Sequence, residues 1–169
     1  MQIKFRLHKR SDILYRVKWF NNSKVNRYVC DLSNPKTTLK KETKWFNDYQ
    51  KDKNKIFFTI LDGKIPIGCI GLSNINKQNK NAEAFIIIGE DDYRGKGVGK
   101  LAMQYLINYG FSNLKLHKIT LGVSVNNKPA VKCYKSVGFI KEGVLKDDEF
   151  YNGKYSDLIL MAVFNNLKG

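Results

Sequence analysis

The sequence lacks the features of exported, membrane-spanning and metal-binding proteins. No run approaches the roughly 20 apolar residues that a membrane helix needs, and the first residues, MQIKFRLHKRSD, contain no apolar segment of a signal peptide. The three cysteines, Cys30, Cys69 and Cys133, are odd in number and widely spaced, which excludes a disulfide framework and a paired metal-ligand spacing. We therefore expect a reduced, cytoplasmic protein with no membrane association and no bound metal.

Negative charge is also scarce. Asp and Glu together number 15, five of them Glu, against 30 Lys and Arg, which gives a formal net charge of +15. Such an excess predicts attraction to anions, either nucleic acid or a phosphorylated cofactor or substrate, unless it serves only solubility. The chain has no RNP, zinc-finger or helix-turn-helix signature and its lysines are spread along the chain, so we expect no nucleic-acid partner.

The length and the hydrophobic pattern predict one α/β domain. The chain of 169 residues, 43% hydrophobic and 27% charged, fits a single domain over residues 1–169. Periodicity predicts strands at 3–7, 56–61, 66–72, 84–89, 119–125, 139–145 and 155–163. Helices are predicted after Ser11-Asp12, from Pro35 and Thr37-Thr38 to about residue 50, over 98–109, and from the cap Asn127 to Gly138. The β-α-β unit at 84–125 predicts a parallel strand pair in a mixed sheet flanked by helices.

The segment RGKGVGK, residues 94–100, carries the clearest chemical signal. It follows the apolar strand AFIIIG and precedes an amphipathic helix. Glycines let backbone amides approach a ligand, and the helix start adds unpaired N–H groups and a positive dipole end. Arg94, Lys96 and Lys100 add charge, so the segment predicts a pyrophosphate site. Its Gly-Lys pair is followed by leucine, which excludes a Walker A loop, and the Gly-x-Gly-x-Gly spacing does not match the dinucleotide fingerprint.

A second block accompanies this glycine turn. Arg94, Gly97 and Gly99 form an Arg-x-x-Gly-x-Gly pattern, and NNKPAVKCYKSVGF, residues 126–139, contains Asn-x-x-Ala-x-x-x-Tyr-x-x-x-Gly-Phe. Both blocks resemble the signature motifs of the GNAT superfamily of acetyl-CoA-dependent N-acetyltransferases. The residues from Glu142-Gly143 onward resemble its branch of ribosomal-protein N-terminal and spermidine acetyltransferases, and the resemblance covers nearly the whole chain.

This resemblance implies a GNAT-like fold, whose central mixed sheet has a splayed parallel strand pair. It implies that acetyl-CoA binds in the splay, with the loop amides on the pyrophosphate and strand 84–89 on the pantetheine arm. Fixed backbone donors there would stabilise the oxyanion of a tetrahedral intermediate formed by direct attack. The implied cofactor-binding residues are Ile86, Ile87, Ile88, Arg94, Gly95, Lys96, Gly97, Val98, Gly99, Lys100 and Asn127.

Two residues are candidates for proton transfer. The acceptor amine must lose a proton before attack, and the departing thiolate must gain one. Tyr134 stands at the proton-donor position of the family motif and, with an ordinary pKa of about 10, carries its proton at neutral pH. Glu83 is the first candidate for the general base, directly or through water, and a water chain to backbone carbonyls is the alternative. Cys133 is interpreted as a packing residue and His117 as structural.

Charge and one further resemblance bear on the acceptor. The segment WFNNSKVNRY, residues 19–28, resembles bacterial GNAT members that acetylate nucleotide-linked amino sugars, and an anionic acceptor suits a basic protein. We therefore expect an amino group on such a sugar as the main acceptor. The alternatives are the N-terminus of a ribosomal protein, and a polyamine or other small amine if Asp147, Asp148 and Glu149 make the site locally acidic. Many members of the family are homodimers, and no segment here dictates one.

Overall fold

The computed structural model describes residues 1–28, 36–151 and 153–165. In these ranges the strands are β1 Ile3–Leu7, β2 Ile56–Asp62, β3 Ile65–Asn76, β4 Asn81–Ile88, β5 Lys118–Ser124, β6 Ile140–Tyr151 and β7 Lys154–Phe164. The helices are α1 Ile13–Phe20, α2 Ser23–Asn26, α3 Leu39–Lys51, α4 Val98–Ser112 and α5 Lys128–Lys135, with short 3₁₀ turns at Arg10–Asp12 and Asp91–Tyr93. The predicted order of elements is confirmed, and the short α2 and the two turns add to it.

The strands pair as one sheet in the order β1-β2-β3-β4-β5-β7-β6. Each neighbouring pair is antiparallel except β4 with β5, which is parallel, as the β-α-β pattern predicts. β4 pairs with β5 over Asn81–Glu83 and with β3 as far as Ile88. The two parallel strands therefore separate beyond Glu83, and the mixed sheet with a splayed strand pair is confirmed.

Helices cover both faces of the sheet. Val98, Ala102, Met103 and Leu106 of α4 are fully buried against one face, and burial of each large apolar side chain is worth about 1.5–3 kcal/mol. Trp19 and its neighbours from α1 and α2 form a second cluster on the other face. Side chains of β4 alternate between these two clusters, which explains the nearly continuous apolar run of this strand. In the described part of the chain, no helix combines the length and the apolarity that crossing a bilayer requires.

The ends of the helices test the predicted caps. Thr38 caps α3 and Asn127 caps α5 through their side-chain oxygens, as predicted, and Gly138 has a φ of +98°, which confirms the left-handed end. α1 begins directly after Asp12, as predicted, but the Asp12 side chain makes no capping hydrogen bond to this helix. This carboxylate is buried and accepts hydrogen bonds from Arg6, Thr59 and the Lys9 N–H, because a buried charge must find partners. The predictions that involve Cys30 and Pro35 lie outside the described residues.

Candidate active site

The separation of β4 and β5 opens a cleft of about 1570 Å³. The cleft brings together four of the predicted site residues, Glu83 and Ile86 on β4, and Asn127 and Tyr134 on α5. The glycine turn lies beyond the end of β4, at the start of α4. The site therefore has two parts, the cleft between the strands and the loop before α4.

Beyond Glu83, the edge of β4 that faces the gap pairs with no strand in the described part of the chain. The Gly89 N–H donates to the Ile67 carbonyl at 2.8 Å, and alternation along an antiparallel strand then directs the Ile87 groups to β3. Ile86 and Ile88 face the gap, and the Ile88 carbonyl accepts a hydrogen bond from Arg94 Nε at 3.1 Å. Both peptide groups of Ile86 and the N–H of Ile88 therefore face the gap, whereas the Ile87 backbone does not and its side chain is buried.

The glycine turn has the backbone that a phosphate site requires. Gly95 has a φ of +72° and Gly97 of +82°, the left-handed region that favours glycine. A Cβ at either position would have no neighbouring atom within 4 Å among the described residues, so the loop faces open space. Gly97 precedes the 15-residue helix α4, whose first N–H groups lack helical partners. With exposed Lys96 and Lys100 beside these donors, the loop fits a pyrophosphate group.

Arg94 contacts the end of β4 as well as the loop. Its Nε donates to the Ile88 carbonyl, and its Nη2 lies 3.0 Å from Asp91 Oδ1. Nη2 is buried and makes no hydrogen bond of suitable geometry within the described residues, and the binding of the cofactor by Arg94 stays a prediction. Hydrogen bonds from Lys24 and Asn22, together with the charge of Arg94, hold the pKa of Asp91 below its usual value.

The acidic run Glu90-Asp91 joins the loop to the first helices. Glu90 accepts a hydrogen bond from the Trp19 indole at 2.9 Å, and Asp91 accepts from Asn22 at 2.9 Å and from Lys24 at 2.7 Å. Sequence analysis did not single out these carboxylates, although an acidic run directly before a basic glycine turn was a usable signal. They fix α1 and α2, which border the cleft, against the loop.

Glu83 lies where β4 and β5 separate. It pairs with Ser73 on β3 and with Thr120 on β5, and its exposed side chain lines the cleft. Its Oε2 accepts a hydrogen bond from Asn74 Nδ2 at 2.9 Å. Among the described residues Oε1 has no hydrogen-bond partner, so this oxygen can accept a proton from a ligand or a water molecule.

Tyr134 projects from α5 into the same cleft. Its ring packs against Phe139 with centroids 6.0 Å apart, and burial raises the pKa of Tyr134 well above its usual value. The hydroxyl therefore keeps its proton throughout the physiological pH range and can act as a donor. Burial also raises the pKa of the half-buried Cys133 thiol, which lies 3.6 Å from the position of a Cβ on Gly99. A protonated, packed thiol agrees with the predicted packing role.

Aromatic residues of α1 and α3 pack in the interior, and His117 lies away from the cleft. Trp19, Phe20 and Phe46 are buried, and Trp45 carries the Arg16 guanidinium over its ring at 3.5 Å. His117 is exposed, and its ring lies 5.8 Å from that of Phe164. It directly precedes β5, at the end of the strand opposite to the splayed end.

The tip of the β6–β7 hairpin adds negative charge to the cleft. The pairing of β6 with β7 shifts register between Leu145 and Glu149, and Asp148 and Glu149 line the cleft at this irregularity. The Ser156 hydroxyl donates to Glu149 Oε2 at 3.2 Å. Among the described residues, the cleft lining therefore contains three carboxylates, with Glu83 as the third, and two cationic residues, Arg27 and Lys36.

The comparisons with known proteins agree with this geometry. A family model described as an acetyltransferase (GNAT) domain matches residues 2–140. The chain is 32% identical over 165 residues to the spermidine N(1)-acetyltransferase of Escherichia coli K12, which covers 97% of this chain and 87% of that protein. It is 31% identical over 114 residues to the ribosomal-protein-serine acetyltransferase of the same organism, covering 68% and 63% of the two chains.

Among solved structures, the chain resembles the spermidine N-acetyltransferase from Vibrio cholerae in complex with CoA and spermine. The TM-score is 0.90 at 30% identity, and the match covers 96% of this chain and 95% of that one. The fold and the family expected from the two sequence motifs are both confirmed. The chain belongs to the GNAT family of N-acetyltransferases and takes its acetyl group from acetyl-CoA.

Proposed function

We propose that this protein acetylates a polyamine of the spermidine class, with Glu83 as general base and Tyr134 as general acid. The observation that carries the proposal is that three carboxylates, Glu83, Asp148 and Glu149, are among the described residues that line the cleft. The names of the similar proteins point to the same substrate. The amino-sugar acceptor expected from residues 19–28 and from net charge finds no support in these comparisons, which favour the polyamine alternative.

The charges that line the cleft bear on the substrate more directly than the net charge of +15 does. Two unit charges about 4 Å apart attract by about 4 kcal/mol at an effective dielectric constant of about 20. Surface lysines beyond the Debye length of about 8 Å at physiological ionic strength are largely screened. A protonated polyamine in the cleft would therefore respond to the described lining residues, in which three carboxylates exceed the two cations, Arg27 and Lys36.

The loop and the cleft have distinct tasks in the proposed reaction. The N–H groups of residues 95–99, with Lys96 and Lys100, would hold the pyrophosphate of acetyl-CoA. Val98 contributes its N–H alone, because its side chain is fully buried. Asn127 uses its Oδ1 to cap α5, where it accepts the Ala130 N–H at 3.4 Å, and its amide nitrogen can donate to the pantetheine arm.

The proton transfers follow from the groups in the cleft. When bound, acetyl-CoA supplies an acetyl group activated as a thioester. Glu83 accepts a proton from the substrate ammonium, directly or through one water, and the neutral nitrogen then forms the bond to the acetyl carbon. The free N–H groups of Ile86 and Ile88 can donate to the developing oxyanion. Tyr134 gives its proton to the sulfur as the carbon–sulfur bond breaks. The nitrogen then carries one proton more than the amide product needs, and it transfers that proton to the Tyr134 oxygen.

An acceptor panel tests the proposed substrate class. The purified protein is assayed with acetyl-CoA and thiol release against spermidine, spermine, butylamine, a uridine-diphosphate amino sugar and a ribosomal N-terminal peptide. We expect kcat/KM for spermidine to exceed that for butylamine on the order of 100-fold, because two further ammonium groups can meet carboxylates. A higher kcat/KM for the amino sugar or the peptide would overturn the proposal.

The double variant Asp148→Asn, Glu149→Gln tests the carboxylates directly. It removes two negative charges from the cleft at constant side-chain size. We expect KM for spermidine to rise about tenfold, equivalent to about 1.4 kcal/mol, while KM for acetyl-CoA stays unchanged. The matched control is Asp48→Asn on α3, whose carboxylate is exposed and pairs with Lys44. An equal change in the control, or none in the double variant, contradicts the assignment.

A further inference from the structure

An irregularity in β3 brings an amide side chain to the proposed base. We propose that Asn74 is a positioning residue that holds the Glu83 carboxylate in place and directs its free oxygen to the substrate amine. This inference rests on the proposed role of Glu83. The pairing of a regular β3 strand would not allow this contact.

In an unbroken strand, Asn74 would point to the face opposite to Ser73 and Glu83, because side chains alternate along the strand. The pairing of β3 with β4 instead shifts register between Ser73 and Asn76. Asn74 has a φ of +52°, in the left-handed region that non-glycine residues seldom occupy and that Asn tolerates better than most. This conformation takes the amide to the Glu83 side, where Nδ2 lies 2.9 Å from Oε2.

The contact leaves Glu83 suited to accept a proton. The amide donates a hydrogen bond to Oε2 without a positive charge that would hold the carboxylate in an ion pair. Oε1 has no partner within the described residues, and both side chains are exposed. The substrate can therefore reach the oxygen that Asn74 does not occupy, while Oε2 is held in place.

Other titratable groups near Glu83 and Asn74 belong to the cleft, to β5 and to a groove beside β3. The described titratable side chains that line the cleft with Glu83 are Arg27, Tyr28, Lys36, Tyr134, Asp148, Glu149 and Tyr151. Those that line the groove with Asn74 are Asp52, Lys55 and Lys77. On the neighbouring strand, Lys118 is paired with Glu142 at 2.7 Å. Asn74 differs from all of these because it contacts the Glu83 carboxylate through a hydrogen bond.

Two substitutions at Asn74 and one control distinguish the effect of its side-chain amide from the effect of its backbone conformation. Asn74→Asp keeps the side-chain size and the tolerance of left-handed backbone, but replaces the donor by a like charge. Asn74→Gly keeps the backbone conformation and removes the amide. The control is Asn76→Asp, which adds the same charge to the same strand. Asn76 accepts the Asn79 N–H through Oδ1 at 2.8 Å, and an aspartate can keep that bond.

The readout is the pH profile of kcat/KM for the best acceptor amine at saturating acetyl-CoA. A carboxylate beside Glu83 favours its protonated, inactive form, so Asn74→Asp is expected to move the acid limb upward by about one pH unit. Asn74→Gly is expected to lower kcat about tenfold with KM for acetyl-CoA unchanged. Asn76→Asp should keep the wild-type profile, and in a Glu83→Gln background Asn74→Asp should add no further loss.

Each outcome has a defined meaning. Equal profiles for Asn74→Asp and Asn76→Asp, or an additive loss in the Glu83→Gln background, overturn the role of Asn74. Wild-type kcat/KM in Glu83→Gln overturns the role of Glu83 itself. Because the profile is measured with whichever amine is acetylated best, failure of spermidine as a substrate refutes the polyamine proposal separately. Thermal unfolding of each variant identifies loss of folding, and Asn74→Gly remains informative if Asn74→Asp unfolds.

Discussion

Replacing Gly97 by asparagine and by aspartate separates the backbone conformation of the loop from its charge. Both side chains have the same size, and both tolerate a φ of +82° better than other non-glycine residues. The protein itself leaves room for either, since no described atom lies within 4 Å of a Cβ at this position. Any difference between the two variants in CoA affinity therefore reports the charge that the loop holds.

The magnitude follows from Coulomb's law. One carboxylate about 5 Å from one pyrophosphate charge is repelled by about 1 kcal/mol in water and about 3 kcal/mol at an effective dielectric constant of about 20. Gly97→Asp should therefore bind CoA roughly 5- to 150-fold more weakly than Gly97→Asn. Each variant should also lose about 1–2 kcal/mol of stability from the left-handed backbone.

Isothermal titration with CoA measures both affinities, and thermal unfolding confirms that each variant is folded. The difference in affinity should shrink at 0.5 M salt, because the Debye length is then below the roughly 8 Å of physiological ionic strength. Equal CoA affinities for Gly97→Asn and Gly97→Asp at low salt would refute the assignment of this loop to the pyrophosphate.

Two further predictions concern proton transfer and acid stability. Tyr134→Phe should lower kcat by about 10²–10⁴ with little change in KM for acetyl-CoA, and steady-state kinetics with a near-normal kcat would remove Tyr134 from the mechanism. Burial, together with the charge of Arg16, lowers the pKa of His8 to about 4, so the unfolded chain binds a proton between about pH 6.5 and pH 4 that the folded chain excludes. Urea unfolding should therefore show stability falling by about 3 kcal/mol over that range, and a His8→Phe variant with the same slope would contradict this.

Local sequence patterns were sufficient to predict those features of the site that depend on residues close together in the chain. The apolar strand before the glycine turn and the cap at Asn127 each follow from a short stretch of sequence. The hydrogen bond from the Arg94 guanidinium to the Ile88 carbonyl was harder to predict. Ile87 was included with its neighbours, although strand alternation, once the register is known, directs its backbone to β3.

Long-range contacts could not be predicted from the sequence. The Asp12 carboxylate follows Ser11 like a helix cap, yet it bonds to Thr59, 47 residues away. The Asn74–Glu83 contact depends on a register shift in β3, which neither composition nor periodicity predicts. Net charge is a poor guide to the acceptor for a related reason, since it sums every residue, whereas the fold brings Asp148 and Glu149 to the cleft of Glu83.

The splayed strand pair divides the sheet into two halves, β1–β4 and β5–β7, that share three residue pairs at one end. A ligand lying along Ile86 and Ile88 would occupy the place of the missing strand contacts and bridge the halves at the other end. The free energy of unfolding would then depend on the acetyl-CoA concentration, and it would rise by about 2.7 kcal/mol at a concentration 100 times the Kd. Such an enzyme is most rigid when its cosubstrate is plentiful, and the amine then meets a cleft that is already assembled.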